Sequence, residues 1–301
     1  MNEQACYLVL DFGGTSVKGA VMNGEASILE RCSLPSQVDS YDAFLESLLP
    51  KFDEFRQNYD LKGIAISTCG AVDVERGVIE GASALKYIHN IDIRAQYHSR
   101  FGLPVELEND GCCAALAEGW LGAGSSSNNF CLLVLGSGVG GAIVNSGKVT
   151  KGAHLHAGEF GYCILRFEQG VPLTYSELAS TRGMVLKTAR ALGVSPDELD
   201  GLKVFELYDQ GEPTVIDVVE QWYMDLATVL FNIQYSLDPE CILLGGAISR
   251  RKGLIEKINQ KLDGIHSHHP IAKIRPNPKL TQFGNDANLI GALKHFLNRQ
   301  G

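Results

Sequence analysis

Short apolar runs that stop at paired glycines recur along the chain. Tyr7-Leu8-Val9-Leu10 leads into Asp11-Phe12-Gly13-Gly14-Thr15, and Cys131-Leu132-Leu133-Val134-Leu135 leads into Gly136-Ser137-Gly138-Val139-Gly140-Gly141. Cys241-Ile242-Leu243 leads into Leu244-Gly245-Gly246-Ala247. Apolar runs of this length bounded by turn residues predict buried strands. After the first turn, Val17-Lys18-Gly19-Ala20-Val21-Met22 predicts another strand. That turn is therefore a hairpin and not a strand-to-helix phosphate loop, and neither a Walker pattern nor GxGxxG opening a helix is present. Strands are predicted at 6–11, 17–22 and 26–33 as an antiparallel meander. A helix is predicted near 41–57, with Phe44, Leu45, Leu48, Leu49, Phe52 and Phe55 at helical spacing. Further on come strand 64–68, a small hairpin around Gly77, helix 91–101, strand 104–107 and a helix just after Asp110.

The stretch Gly122-Ala123-Gly124-Ser125-Ser126-Ser127-Asn128-Asn129 is the clearest linker. Beyond it the order of elements repeats: strand, glycine turn, strand, short strand, then helices. Those helices are predicted near 176–191 and 215–236, the second with Val215, Val219, Trp222, Leu226, Val229, Phe231 and Ile233 on one face. Strand 241–244, a helix near 251–262 and a final helix from 286 complete the chain. Strand, hairpin and helix thus occur twice, which predicts two α/β lobes, 1–121 and 122–285. Their glycine turns face a shared cleft, and 286–301 packs back on the first lobe.

Composition narrows the classes. The 301 residues are 45% hydrophobic and 20% charged, an ordinary globular balance. The formal net charge of -9 disfavours a nucleic-acid surface. No apolar run reaches the ~18 residues of a membrane span. The N-terminus lacks the basic region of a signal peptide. The eight cysteines are scattered without CxxC pairs, which argues against a thiolate zinc site, and Cys6, Cys69, Cys131 and Cys241 read as small core residues in a reducing compartment, the cytoplasm. His266-Ser267-His268-His269-Pro270 reads as an exposed loop in preference to a metal site.

Three glycine turns after buried strands suggest backbone amides aimed at one polyanion, because glycine permits positive φ and close approach of a phosphate. Asp11 could meet a hydrated magnesium ion there, and Lys18 could offer charge to the same phosphates. A tight hairpin needs the same glycines, so each turn alone is weak evidence. Glu108-Asn109-Asp110 ends a strand and opens a helix. Asp110 could take a proton from a hydroxyl attacking phosphorus, and Asn109 could hold a neighbouring hydroxyl. Either could equally cap the helix. Glu159 suits a loop carboxylate that binds hydroxyls or a simple exposed acid. Glu177 begins a helix, where a carboxylate also favours the dipole.

Taken together and in order, these motifs resemble the ROK family of bacterial sugar kinases. The matching segments are 11–15, 108–110, 136–141, 152–161 (ending Ala157-Gly158-Glu159-Phe160-Gly161) and 244–247. The resemblance implies the two-lobed actin-like ATPase (ribonuclease H-like) fold. It also implies an ATP- and magnesium-dependent kinase acting on the 6-hydroxyl of a sugar, and it moves Asp110 from helix cap to general base. By the same resemblance Asn109, Glu159 and Glu177 hold ring hydroxyls, and Gly81 and Ser83, within Glu80–Leu85, border the sugar. Gly13, Gly14, Thr15, Lys18, Ser137 and Gly138 border the transferred phosphate, Gly245, Gly246 and Ala247 flank the nucleotide, and Asp11 holds hydrated magnesium. A homodimer is implied too.

One departure matters. Many members carry a CxCGxxGCxE zinc motif after a Gly-His pair. Here Gly161 is followed by Tyr162, and the segment Cys163–Gly170 holds one cysteine. A structural zinc takes about four N/S ligands, so no zinc is expected. The loop then resembles the members acting on glucose or β-glucosides, with Tyr162 in the place of the histidine near the anomeric carbon. N-acylmannosamine and fructose kinases of the family are the alternatives, as is a non-catalytic sugar sensor. The family's repressors add an N-terminal helix-turn-helix, for which a first strand beginning by Cys6 is expected to leave no room.

Overall fold

The computed structural model describes residues 4–81, 83 and 85–300. It divides into two compact units. One comprises Met1–Leu121, Lys151–His156 and Asn285–Gly301, and the other Gly122–Thr150 and Ala157–Gly284.

The first unit begins with β1 (Cys6–Phe12), β2 (Ser16–Asn23), β3 (Ile28–Pro35), α1 (Tyr41–Asn58) and β4 (Leu61–Thr68). It continues with β5 (Ala71–Asp73), β6 (Val78–Glu80), α2 (Ile93–Phe101), β7 (Val105–Asn109) and α3 (Asp110–Leu121). Its main sheet has the order β3-β2-β1-β4-β7. The first three strands form the predicted meander, and β1, β4 and β7 run parallel. Helix α1 starts where the Ser40 hydroxyl accepts from Ala43 N–H, satisfying one of the helix's open amides. Its Phe44, Leu48, Phe52 and Phe55 are buried in one cluster with Leu8, Leu10, Ile64 and Ile66 of the sheet.

The second unit contains β8 (Phe130–Leu135), β9 (Val139–Asn145), β10 (Lys148–Val149), β11 (Ile164–Glu168) and β12 (Val171–Thr174). The helices α4 (Tyr175–Ala179), α5 (Thr181–Leu192), α6 (Gly201–Asp209) and α7 (Pro213–Leu237) follow, then β13 (Cys241–Gly245), α8 (Leu254–His268) and β14 (Pro278–Leu280). Its main sheet has the order β10-β9-β8-β13-β14, the same winding as the first. Trp222 of α7 is buried at its core.

Three expectations need correction. The helix predicted over 176–191 is two helices. Ser180 ends α4 in extended backbone (ψ 161°) and its hydroxyl caps α5 by accepting from Gly183 N–H at 2.9 Å. The Trp222 indole N–H bonds the carbonyls of Ala179 and Ser180 at that break, so a tertiary contact overrides the local helical pattern. Second, His266, Ser267 and His268 belong to the last turn of α8 and not to a loop. Third, the β11–β12 hairpin was not anticipated, because its strands are largely exposed and carry no buried apolar run.

The final helix, α9 (Ala287–Gln300), lies in the first unit against α3 and β4. Glycine makes the approach possible. A Cβ on Gly291 would sit 1.7 Å from the Cys113 carbonyl oxygen, and one on Gly63 would fall inside the Phe296 ring contact at 2.1 Å. Among the described residues no helix is long and apolar enough to cross a membrane.

Candidate functional site

In the first unit the parallel strands end level with one another. The register aligns Asp11 with Ser67 and Ser67 with Glu108, and one step further Phe12 with Thr68 and Thr68 with Asn109. Strand ends of parallel sheets are where open α/β folds gather ligands. Asp11 is 7% exposed, and its Oδ1 accepts from Ser67 Oγ at 2.9 Å and from Asn288 Nδ2 of α9 at 3.1 Å. Burial pushes its carboxyl above the usual range, and these hydrogen bonds and the Lys18 charge pull part of the way back. Lys18 is the exposed cross-strand partner of Asp11.

The Gly13-Gly14-Thr15 turn closes with Gly13 N–H donating to Ser16 O at 3.1 Å, and Gln37 donates to Gly14 O at 2.6 Å. Gly13 and Gly14 do not lie in the left-handed region, so positive φ is not their reason here. Gly13 is required by space: its Cβ would meet Ser16 O at 2.9 Å. Gly14 and Thr15 are exposed.

Helix α3 shows which of Asn109 and Asp110 caps it. Asn109 is the cap: its Oδ1 accepts from Cys112 N–H at 3.1 Å, while its amide donates to Gly70 O at 3.1 Å. Asp110 occupies the first turn, half-buried, with Oδ1 accepting from Gly111 N–H at 2.8 Å. A carboxylate there is favoured by the helix dipole. Glu108, 3% exposed, is paired with Lys151 and accepts from Asn109 N–H at 2.6 Å. His295 of α9 approaches Glu108 at 3.9 Å. Burial and then the Arg299, Lys151 and Arg94 cations lower its pKa to about 3, so that contact is not an ion pair near neutral pH.

Next to this turn lie Cys69, Ser83 and His89. Burial pushes the Cys69 thiol up; the Ser83 hydroxyl acts against that shift and the Asp110 charge adds to it. Ser83 Oγ is 2.8 Å from His89 Nε2. Gly81 is exposed, while Ala82 and Ala84 of the expected sugar rim lie outside the described residues.

In the second unit three distant segments meet at Ser176. Its Oγ accepts from Val139 N–H at 3.0 Å, and a Cβ on Gly138 or Gly161 would approach that oxygen to 3.1 or 2.4 Å. Gly136 N–H donates to Gly138 O at 3.0 Å, leaving Ser137 exposed at the turn's tip. Gly246 has φ 93° and its Cβ would sit 2.4 Å from Leu135 O, so both φ and space demand glycine. Gly245 packs on Thr281, and Ala247 opens a short 3-10 turn to Arg250. Glu159 is half-buried and Tyr162, beside it in the chain, is 78% exposed. Glu177 is exposed and already engaged: its carboxylate accepts from Thr174 N–H at 2.8 Å and Thr174 Oγ1 at 2.7 Å, closing a capping box. Those bonds hold its carboxyl below the usual range.

Ser67, Asn288, Lys151, Ser176 and His89 were passed over in the sequence. Ser67, Asn288, Lys151 and Ser176 have partners distant in the chain, and His89, though near Ser83, stands in no recognisable spacing, so no local motif announces them. Among the described residues no cluster of three or more His, Cys, Asp or Glu could hold a metal ion.

The order of these segments is that of a known family: the profile described as ROK family matches residues 7–299. The chain belongs to the ROK family. Among curated ROK-like relatives, a beta-glucoside kinase of Klebsiella pneumoniae is 32% identical, the match covering 95% of this chain and 94% of that one. A beta-glucoside kinase of Listeria monocytogenes is 30% identical over 96% and 97%. A ROK family protein of Streptococcus pneumoniae, crystallised with sucrose, superposes with a TM-score of 0.89 at 32% identity, covering 98% of this chain and 99% of that chain.

Proposed function

We propose that the protein is an ATP-dependent sugar kinase that phosphorylates the 6-hydroxyl of a glucose-configured sugar or its β-glucoside. The observation that carries the reading is the set of strand ends in the first unit, where Asp11 lies level with Glu108 and Asp110 follows two residues on at the start of α3. In this reading Asp110 takes the proton of the attacking hydroxyl. Asn109, with one amide hydrogen given to Gly70, offers its other to a sugar oxygen. Glu159 and Glu177 accept from ring hydroxyls, and Gly81, Ser83 and Tyr162 border them. Gly13, whose own N–H closes the turn on Ser16 O, lets the amides of Gly14 and Thr15 border the phosphate in transfer, and these, with the amides of Ser137 and Gly138 and the Lys18 ammonium, neutralise it. Gly245, Gly246 and Ala247 flank the nucleotide. Relatives named beta-glucoside kinase support the acceptor class.

The residues present fit hydrated magnesium. Asp11 commits Oδ1 to Ser67 and Asn288, which leaves Oδ2 to accept from the ion's waters. Bound there, magnesium supplies charge neutralisation of the phosphates. A nearby dication would also offset the burial that disfavours the Asp11 carboxylate. A cytoplasmic location and a homodimer belong to the same reading and rest on the family resemblance.

The test is ADP release with Mg-ATP across glucose, cellobiose, a β-glucoside, mannose, N-acetylmannosamine, N-acetylglucosamine and fructose. Stimulation by glucose or the β-glucosides is expected. Stimulation only by N-acetylmannosamine or fructose would overturn the acceptor assignment, and stimulation by none, in folded protein that binds ATP, would overturn the kinase.

A further inference from the structure

Ser83 stands in an unusual hydrogen-bonding position. Its Oγ lies 2.8 Å from His89 Nε2 and 3.2 Å from Leu85 N, whose N–H donates to it. The other ring nitrogen, His89 Nδ1, is buried with no partner. That asymmetry selects the tautomer from the network. A proton on Nδ1 would leave a buried donor with nothing to bond, whereas a proton on Nε2 leaves only a bare lone pair, the less costly orphan. Nε2–H then donates to Ser83. A serine oxygen has two lone pairs and one proton. His89 and Leu85 take both lone pairs, so the hydroxyl has only its proton left to offer.

The ring that enforces this is itself held. Residue 89 forms a β-bridge with Ile79, and Asn90 N–H donates to Ile79 O at 2.9 Å. The His89 Cε1 edge packs on Gly70, where a Cβ would come within 3.3 Å, and the Gly70 carbonyl is the one that holds the Asn109 amide. The Ser83 hydroxyl interacts with Cys69, which also feels the charge of Asp110. Thiol sulfur is a weak acceptor, so the proton has a resting partner that a better acceptor displaces.

We infer that His89 is a positioning residue that makes Ser83 a one-way hydrogen-bond donor beside Cys69, its proton available to an oxygen lone pair of the bound sugar. The inference deepens the kinase reading and rests on it for the identity of the ligand as a sugar. A serine free to rotate could accept from a sugar hydroxyl as readily as donate to a sugar oxygen. One fixed by His89 contributes to affinity only by donating, and it does so before any phosphate is transferred.

The measurement is sugar affinity by calorimetry without nucleotide, using whichever sugar of the panel stimulates ADP release best, or glucose if none does. Ser83→Ala, His89→Ala, His89→Gln and the Ser83→Ala/His89→Ala double variant are compared with the parent, with melting temperature and the KM for ATP read on each. Loss of one hydrogen bond predicts sugar binding weakened about tenfold in Ser83→Ala. His89→Ala, which frees the hydroxyl to donate or accept, should weaken it by less, His89→Gln, whose amide can still donate, should restore most of that loss, and the double variant should be no worse than Ser83→Ala alone. The KM for ATP should not move. Sugar affinity unchanged in Ser83→Ala, or single losses that add in the double variant, would overturn the inference. Because binding is read apart from turnover, absence of ADP release in a protein that binds sugar would count against the kinase and not against His89.

Discussion

The two main sheets share a winding and differ in what stands at their strand ends. In the first, the penultimate residue of β1 is Asp11, level with Ser67, and in the second the penultimate residue of β8 is Val134, level with Gly245. The first sheet ends in buried carboxylates, Asp11 and Glu108, with Asp110 just beyond. The second ends in glycine turns, Gly136–Gly138 and Gly245–Gly246, which present backbone and carry no acid. The same scaffold therefore offers opposite chemistry: acids that could take a proton or receive a metal's waters on one side, and amides that could lie against phosphate on the other. Fold alone says little about function, and the division of labour resides in a few terminal residues.

Substitutions should expose that division. Short of Asp110 itself, the largest effect is expected at Asp11→Asn, where loss of the carboxylate should lower kcat/KM for Mg-ATP by about 10–100-fold, as for other groups that bind a metal through its outer shell. Stability should behave oppositely. The folded-state pKa of Asp11 is raised, so its stabilising contribution is present below the unfolded pKa and is lost as pH rises through the folded one. At neutral pH the buried charge is a liability, and Asp11→Asn should melt no lower than the parent, any gain shrinking toward acid pH. A melting temperature several degrees lower at pH 7 would show the charge to be structurally needed. Gly246→Ala should do the reverse, costing about 1–3 kcal/mol of stability through its left-handed φ and the clash with Leu135 O, measurable by denaturant unfolding.

Smaller effects sharpen the picture. Glu177→Gln keeps a side chain that can close the capping box with Thr174. Stability should hold while sugar affinity falls about tenfold, as for loss of one charged hydrogen bond. An unchanged affinity would reduce Glu177 to a cap. Gly14→Ala is the mildest: its Cβ meets nothing within 4 Å and its φ is ordinary, so stability should change by less than about 0.5 kcal/mol. Any fall in kcat there would come from the phosphate side of the turn.

Much of this was legible in the chain. Apolar runs ending at Asp11, Leu135 and Leu244 announce the strands, and the repetition of element order announces the two sheets. The candidate acids at 108–110 were visible because a strand end and a helix start fall between them. What stayed hidden depends on distance in sequence. Asn288 reaches Asp11 across 277 positions, and Lys151 reaches Glu108 across 43. The helix break at Ser180 comes from Trp222, 42 positions away. The glycine turns are read from sequence for positive φ and close approach of a phosphate, whereas Gly13 is fixed by the Ser16 carbonyl and Gly246 by both its φ and the Leu135 carbonyl, which only the structure sets opposite them. Asn109 and Asp110 had two readings each from sequence, and only hydrogen bonds separate the cap from its neighbour.

The central claim is that Asp110 is the base of a sugar kinase, and the most direct measurement is sugar-phosphate formation from Mg-ATP by the parent and by Asp110→Asn, with calorimetric sugar binding on both. The account predicts a fall in kcat of about 10²–10⁴-fold with sugar affinity nearly unchanged. Equal turnover in the two proteins would contradict it.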